Sequence, residues 1–143
     1  MYRLKTGDIR DWLKNGLGDL FQTYYINKVN KNKQPNNKLG VYYTKNSLPH
    51  IFECLGGYET DRTDYFTLLI IGTDNYEESR EKGEEVFEWL LNENLKNPLI
   101  INNKRINRLE LMTQLEDVSD FDTEGFYEFV INLKVEYNIE PTE

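Results

Sequence analysis

The sequence predicts an α+β fold: a single domain over residues 1–143, with a largely antiparallel twisted β-sheet, a long C-terminal strand and two packing helices at about 8–15 and 75–93. Three observations carry that expectation. The first is a period-two pattern near the end of the chain, where Tyr127, Phe129, Ile131, Leu133, Val135 and Tyr137 alternate with mostly polar residues. The second is a pair of apolar stripes at helical spacing, one early and one central. The third is length: 143 residues suit one core that buries roughly two-thirds of the unfolded chain's surface.

Thr6-Gly7-Asp8 opens the first helix, and Ile9, Trp12, Leu13, Leu17 and Leu20 follow as its apolar stripe. Gly16 and Gly18 lower helix propensity there, so the helix is expected to stop near residue 15. Residues 21–29, rich in Tyr and β-branched side chains, read as a strand, and 39–44 as its return. Between them, residues 30–38 hold Pro35 and no apolar side chain, which predicts an exposed basic hairpin loop. Residues 51–55 have strand composition, and Gly56-Gly57 suits a break or bulge.

The apolar run 65–71 predicts a strand buried on both faces. Asp74 with Glu77 three residues on has the form of a capping box. Tyr76, Gly83, Val86, Phe87, Leu90 and Leu91 then share one helix face, with Glu77, Glu78, Glu81, Glu84, Glu85 and Glu88 largely on the other. Gly83 marks a close approach of that helix to the sheet, and Asn97-Pro98 ends it. Residues 99–101, then Asn102-Asn103, then Lys104 onward predict a tight hairpin, and 109–115 alternate apart from Met112. The last strand, at about 3.3 Å per residue, reaches roughly 40 Å and belongs in the middle of the sheet with one face under helices.

Composition removes several function classes. No apolar run approaches the roughly 18 residues that span a bilayer, so no membrane role is expected. The opening Met1-Tyr2-Arg3-Leu4-Lys5 lacks the apolar core of a signal peptide. The lone Cys54 cannot form an internal disulfide, which fits a reducing cytoplasm. With one Cys and one His, no thiolate-based zinc site can be filled. The net charge of −8 argues against tight nucleic-acid binding. It is also unevenly placed: residues 1–60 carry nine basic and five acidic side chains, residues 61–143 eight and twenty. Such polarity suits head-to-tail association of identical copies.

The search for chemistry returns no active site, metal or cofactor. From Asp120, the positions of Asp122, Glu124, Gly125 and Glu128 partly match a calcium loop, but its twelfth position is Ile131 and a strand follows where a helix is needed. Glu128, Lys134 and Glu136 share a strand face, yet Glu128 and Lys134 stand about 20 Å apart at about 3.3 Å per residue, too far for one metal. His50 and Cys54 offer no partner set for nucleophilic catalysis, and Gly56-Gly57 lacks the Lys-Ser/Thr of a phosphate cradle. Trp12 and Trp89 sit on apolar helix faces and read as core.

Taken in order, these pieces resemble the bacteriophage minor capsid/tail terminator family of the head-tail joining region. The resemblance runs through Ile9-Arg10-Asp11-Trp12-Leu13, Leu39-Gly40-Val41-Tyr42 and Leu55-Gly56-Gly57-Tyr58. It continues in Phe66-Thr67-Leu68-Leu69-Ile70-Ile71, in Thr73-Asp74-Asn75-Tyr76, and in Asp120-Phe121-Asp122-Thr123-Glu124-Gly125-Phe126-Tyr127-Glu128-Phe129. The strand ending at Gly72 is more apolar than the family pattern.

The resemblance implies a tail-terminator-like fold and a non-enzymatic virion protein, assembled in the bacterial host cytoplasm. It implies a ring, usually a hexamer, that caps the tail tube of major tail protein and joins it to head connector proteins, with DNA only as cargo through the pore. A ring needs two complementary patches per subunit. Candidates are Lys28, Lys31, Lys33 and Lys38 on one side and Glu116, Asp117, Asp120 and Asp122 on the other, with excess negative charge partly lining the pore. Competing readings are a head-completion or connector protein, a small acidic DNA-mimic-like binding protein, and an enzyme with an unfamiliar carboxylate site.

Overall fold

In the computed structural model, which describes residues 3–26, 38–43, 50–53, 60–118 and 127–139, the alternating C-terminal segment becomes the centre of the sheet. The elements run α1 (Thr6–Leu17), β1 (Thr23–Ile26), β2 (Lys38–Tyr43), β3 (His50–Glu53), β4 (Thr60–Ile71), α2 (Tyr76–Glu93), β5 (Leu99–Ile101), β6 (Lys104–Leu111), β7 (Glu116–Asp117) and β8 (Glu128–Ile139). They build an α+β domain of two helices on one eight-stranded sheet, ordered β1-β2-β4-β8-β6-β5, with β3 also on β4 and β7 also on β8.

The spine is the antiparallel ladder of β4 and β8, paired along their whole length from Thr60 beside Ile139 to Ile71 beside Glu128. Each spine strand is longer than its outer neighbours, so two short strands share its free side. On β4 these are β2 and β3, with six residues (44–49) between them against two (Asp64 and Tyr65) on the spine. On β8 they are β6 and β7, and the intervening residues 112–115 oppose Ile131 and Asn132.

Alternation decides the two faces. Phe129, Ile131, Leu133, Val135 and Tyr137 of β8 are all buried, as are Phe66, Leu68 and Ile70 of β4. Ile9 and Leu13 of α1 and Val86 and Leu90 of α2 close over them in one core cluster. Each such side chain stabilises by roughly 1.5–3 kcal/mol relative to exposure. The intervening β8 residues, from Val130 to Asn138, are half-buried on the other face.

The sequence-based expectations hold for the central final strand, the covering helices and the tight β5–β6 turn. In that turn Asn102 and Asn103 take φ of 48° and 63°, the left-handed pair a two-residue hairpin requires. Three expectations change. First, β1 and β2 do not form a hairpin: they run parallel, from Thr23 beside Lys38 to Ile26 beside Val41. The orientation of β2 is set by its ladder to β4, while β1 is tied to the end of α1, where the Tyr24 O–H donates to the Gly18 carbonyl at 2.8 Å. The intervening residues 27–37 are long enough to bring the chain back, since eleven residues reach up to about 36 Å.

Second, α1 runs through Gly16 instead of stopping before it. A Cβ on Gly16 would lie 2.0 Å from the Trp89 ring, so this glycine serves helix-helix contact rather than termination. The helix ends at Gly18, whose φ of 57° and ψ of −124° favour glycine. Third, the α2 cap is Asn75, not Asp74: the Asn75 carboxamide accepts the Glu78 N–H at 3.1 Å. The chain is held back to that point by Thr73, whose N–H donates to Ser79 Oγ at 2.8 Å. Gly83 does mark a close approach, with its partner being Leu115 in the β6–β7 connection.

Candidate functional site

Among the described residues, a buried polar network lies on the covered face of β4. Arg62 and Asp64, two residues apart on one strand, point the same way and are both buried. The Arg62 Nε donates to both Asp64 carboxylate oxygens at 3.0 Å, and the Tyr137 O–H donates to Asp64 Oδ2 at 2.5 Å. Tyr137 in turn accepts the Leu4 N–H at 2.7 Å, and the Leu4 carbonyl accepts from the Tyr43 O–H at 2.9 Å. Burial, then the bond to Asp64, push the Tyr137 phenol above its usual range. Burial likewise raises Tyr43, with the Asp64 charge adding to it.

Asp64 and Tyr137 are both 0% exposed. The chemistry of this network is structural. The Asp64 carboxylate accepts from Arg62 Nε and from the Tyr137 phenol, and Tyr137 and Tyr43 hold Leu4, just before α1, onto β8 and β2. Sequence reasoning missed this network. The available signal was the alternation itself: Arg62 and Asp64 occupy the same strand face as Phe66, Leu68 and Ile70.

Of the eight residues expected to form interaction patches, the structure places three. Lys38 is not in an exposed loop: it begins β2, is buried, and holds its ammonium 5.8 Å from the Tyr25 ring centroid. Glu116 and Asp117 form β7 and are exposed. Lys28, Lys31, Lys33, Asp120 and Asp122 lie outside the described residues, as does Cys54. Lys38 and β7 occupy opposite flanks of the sheet, separated by β4 and β8, or about 14 Å at some 4.8 Å per strand. Among the described residues, Lys38 is therefore not brought together with Glu116 and Asp117.

The reading of Trp12 and Trp89 as core side chains holds. Their ring centroids lie 4.8 Å apart where α1 crosses α2, and Trp12 Nε1 donates to Glu93 Oε1 at 3.0 Å. Glu128 starts a strand rather than a helix and is buried, so the calcium-loop pattern has no second helix. Lys134 and Glu136 form an ion pair at 3.4 Å, with Glu110 3.8 Å from the same ammonium. Among the described residues no group of three or more His, Cys, Asp or Glu could hold a metal ion. No described helix is long and apolar enough to cross a membrane.

Two surface features complete the description. The outward face of α2 exposes Glu77, Glu78, Glu81, Glu84, Glu85 and Glu88, of which Glu84 pairs with Arg80 at 2.9 Å. Beyond the C-terminal end of the same helix, a half-open groove of about 510 Å³ runs between residues 94–97 and β6. Lys96, Arg105 and Arg108 line it together with Asn94 and Asn138. Sequence reasoning missed this groove, because its residues come from three separate segments.

No protein-family model matches the chain, and no curated protein matches it. Among solved structures, it is similar to a chain described as the virion of a native gene transfer agent particle. The TM-score is 0.55 at 8% identity, over 89% of this chain and 84% of the other. A second solved chain aligns over 99% of both at a TM-score of 0.41 and 9% identity, too loose a likeness to define a fold.

Proposed function

We propose that this protein is a virion structural subunit, specifically a tail terminator whose copies close a ring on the tail tube and join it to the head connector. The observation that carries the reading is the fold likeness over 89% of the chain to a component of a phage-like particle. Two features support it. The buried polar network around Asp64 is bonded internally and ties β4 to β8. Of the candidate residues, Lys38 in β2 and Glu116 and Asp117 in β7 lie on opposite sides of the β4–β8 spine, and a heterologous, ring-closing contact uses two different patches on each subunit.

In this reading the basic residues Lys28, Lys31 and Lys33 and the acidic residues Glu116, Asp117, Asp120 and Asp122 contribute to contacts with neighbouring subunits or with the major tail protein. Lys38, being buried, supports that flank from within. DNA passes through the ring as cargo. A chain of net charge −8 repels phosphates rather than retaining them.

Electron microscopy of the purified protein, alone and mixed with tail tubes, tests the reading. Rings capping tube ends are expected. Rings that bind head connectors and leave tubes bare would move the protein to head completion. Particles with no ring under either condition, together with inhibition of a nucleic-acid enzyme, would replace the reading with DNA mimicry.

A further inference from the structure

The cationic groove at the end of α2 has a construction that a regular strand could not produce. Arg105 and Arg108 stand three residues apart on β6, a spacing that normally puts side chains on opposite faces. Between Ile106 and Arg108 the register against β8 shifts by a bulge. As a result Ile106 and Leu109 are both buried and Arg105 and Arg108 both exposed, the two guanidiniums lining one groove. Lys96 adds a third cation from the chain just beyond α2.

These charges are neutralised unevenly in place. Lys96 is paired with Glu93, the nearest acid to Arg108 is Glu110 at 3.9 Å, and Arg105 has no ion pair among the described residues. Guanidiniums with flanking carboxamide donors recognise anionic oxygens, carboxylate or phosphate. The chain itself carries the complementary surface. Glu77, Glu81 and Glu88, with Glu78 and Glu85 beside them, fall within about 100° of one face of α2 at about 100° per residue. All are exposed and make no ion pair among the described residues. Like charges spaced by four residues repel one another along an isolated helix, so an opposing cationic surface relieves a real cost. Glu81 lies twelve residues before the end of α2 at Glu93, about 18 Å along the helix axis, so the middle of the acidic face stands well away from the groove of its own chain.

We propose that this groove receives the acidic face of α2 from a second copy of the same protein. Groove and helix face are different patches on one subunit, so the contact is heterologous and propagates into a ring or filament. The inference rests on the self-assembly reading above but locates one subunit contact in residues away from the basic segment 28–38.

Charge-swap pairing tests it by sedimentation velocity at low salt, with fold verified by circular dichroism. R105E/R108E and E81K/E85K alter only exposed side chains. Each alone is expected to weaken self-association at least tenfold relative to the unaltered protein, and an equimolar mixture to restore it. Raising NaCl to 0.5 M should dissociate the unaltered assembly, since ion pairs at such a surface are screened. Two swaps that each assemble like the unaltered protein would overturn the groove contact while leaving the ring reading intact. An unaltered protein that stays monomeric here would also overturn it, and rings formed only on tail tubes would still uphold the ring. Tight binding of a labelled DNA oligonucleotide, lost in R105E/R108E, would assign the groove to phosphate and equally overturn the proposal.

Discussion

The two faces of the β4–β8 ladder share one backbone and one register, yet they do different work. Under the helices, every second residue of β8 from Phe129 to Tyr137 is buried, and the charges admitted there, Arg62 and Asp64, satisfy each other. On the other face Lys134, Glu136 and Glu110 form loose ion pairs at 3.4–3.8 Å while remaining partly exposed. The same residue types therefore bear on stability on one side and on solubility and contacts on the other. The dielectric around them makes the difference.

The contrast is sharpest at Asp64. Asp64→Ala strands a buried guanidinium and removes the acceptor for Tyr137, so a loss of about 3–5 kcal/mol is expected in urea unfolding. Adding Arg62→Met to that variant should recover much of the loss, because an unpaired buried charge costs more than a missing pair. If Asp64→Ala unfolded like the unaltered protein, the polar centre would not be holding the N-terminal segment.

Adjacent positions on β8 give the next test. Leu133→Ala should cost about 2–5 kcal/mol through the cavity it leaves, and Lys134→Ala less than about 1 kcal/mol. Comparable losses at both would mean that the second face is as tightly covered as the first.

The helix glycines over the covered face give a third contrast. Gly16→Ala drives a Cβ to 2.0 Å from the Trp89 ring, and that ring is backed by Trp12. A rigid indole wedged there yields poorly, and about 1–3 kcal/mol should be lost despite the better helix propensity of Ala. Gly83→Ala meets only the methyl tips of Leu115, the nearest at 2.9 Å, which can rotate aside. The gain of about 1 kcal/mol in propensity should leave that variant near neutral in thermal unfolding.

Much of the fold was legible in the chain because it rests on local periodicity. The alternation through β8, the stripe of α2 and the Asn102-Asn103 turn each carry their own structural instruction. The misreadings share a different cause. Whether β1 and β2 pair parallel or antiparallel depends on β4, and whether Gly16 ends a helix or admits a tryptophan depends on a residue 73 positions away. The candidate patches were legible as charge, but Lys38 shows the limit: a lysine in a polar segment is read as solvent-exposed, whereas the fold buries it at the start of β2 beside Tyr25.

Sequence alone determined the α+β class, the period of each major element and the lack of a recognisable catalytic motif, since these follow from residue type at short spacing. Tertiary structure alone decided the strand order, the sealing of Arg62, Asp64 and Tyr137 into one network, and the bulge that turns Arg105 and Arg108 into the same groove. The physical reason is common to all three. Each depends on which distant segment lies beside a residue and how much water it excludes, and pairing between distant strands is set by the whole sheet rather than by any one stretch of chain.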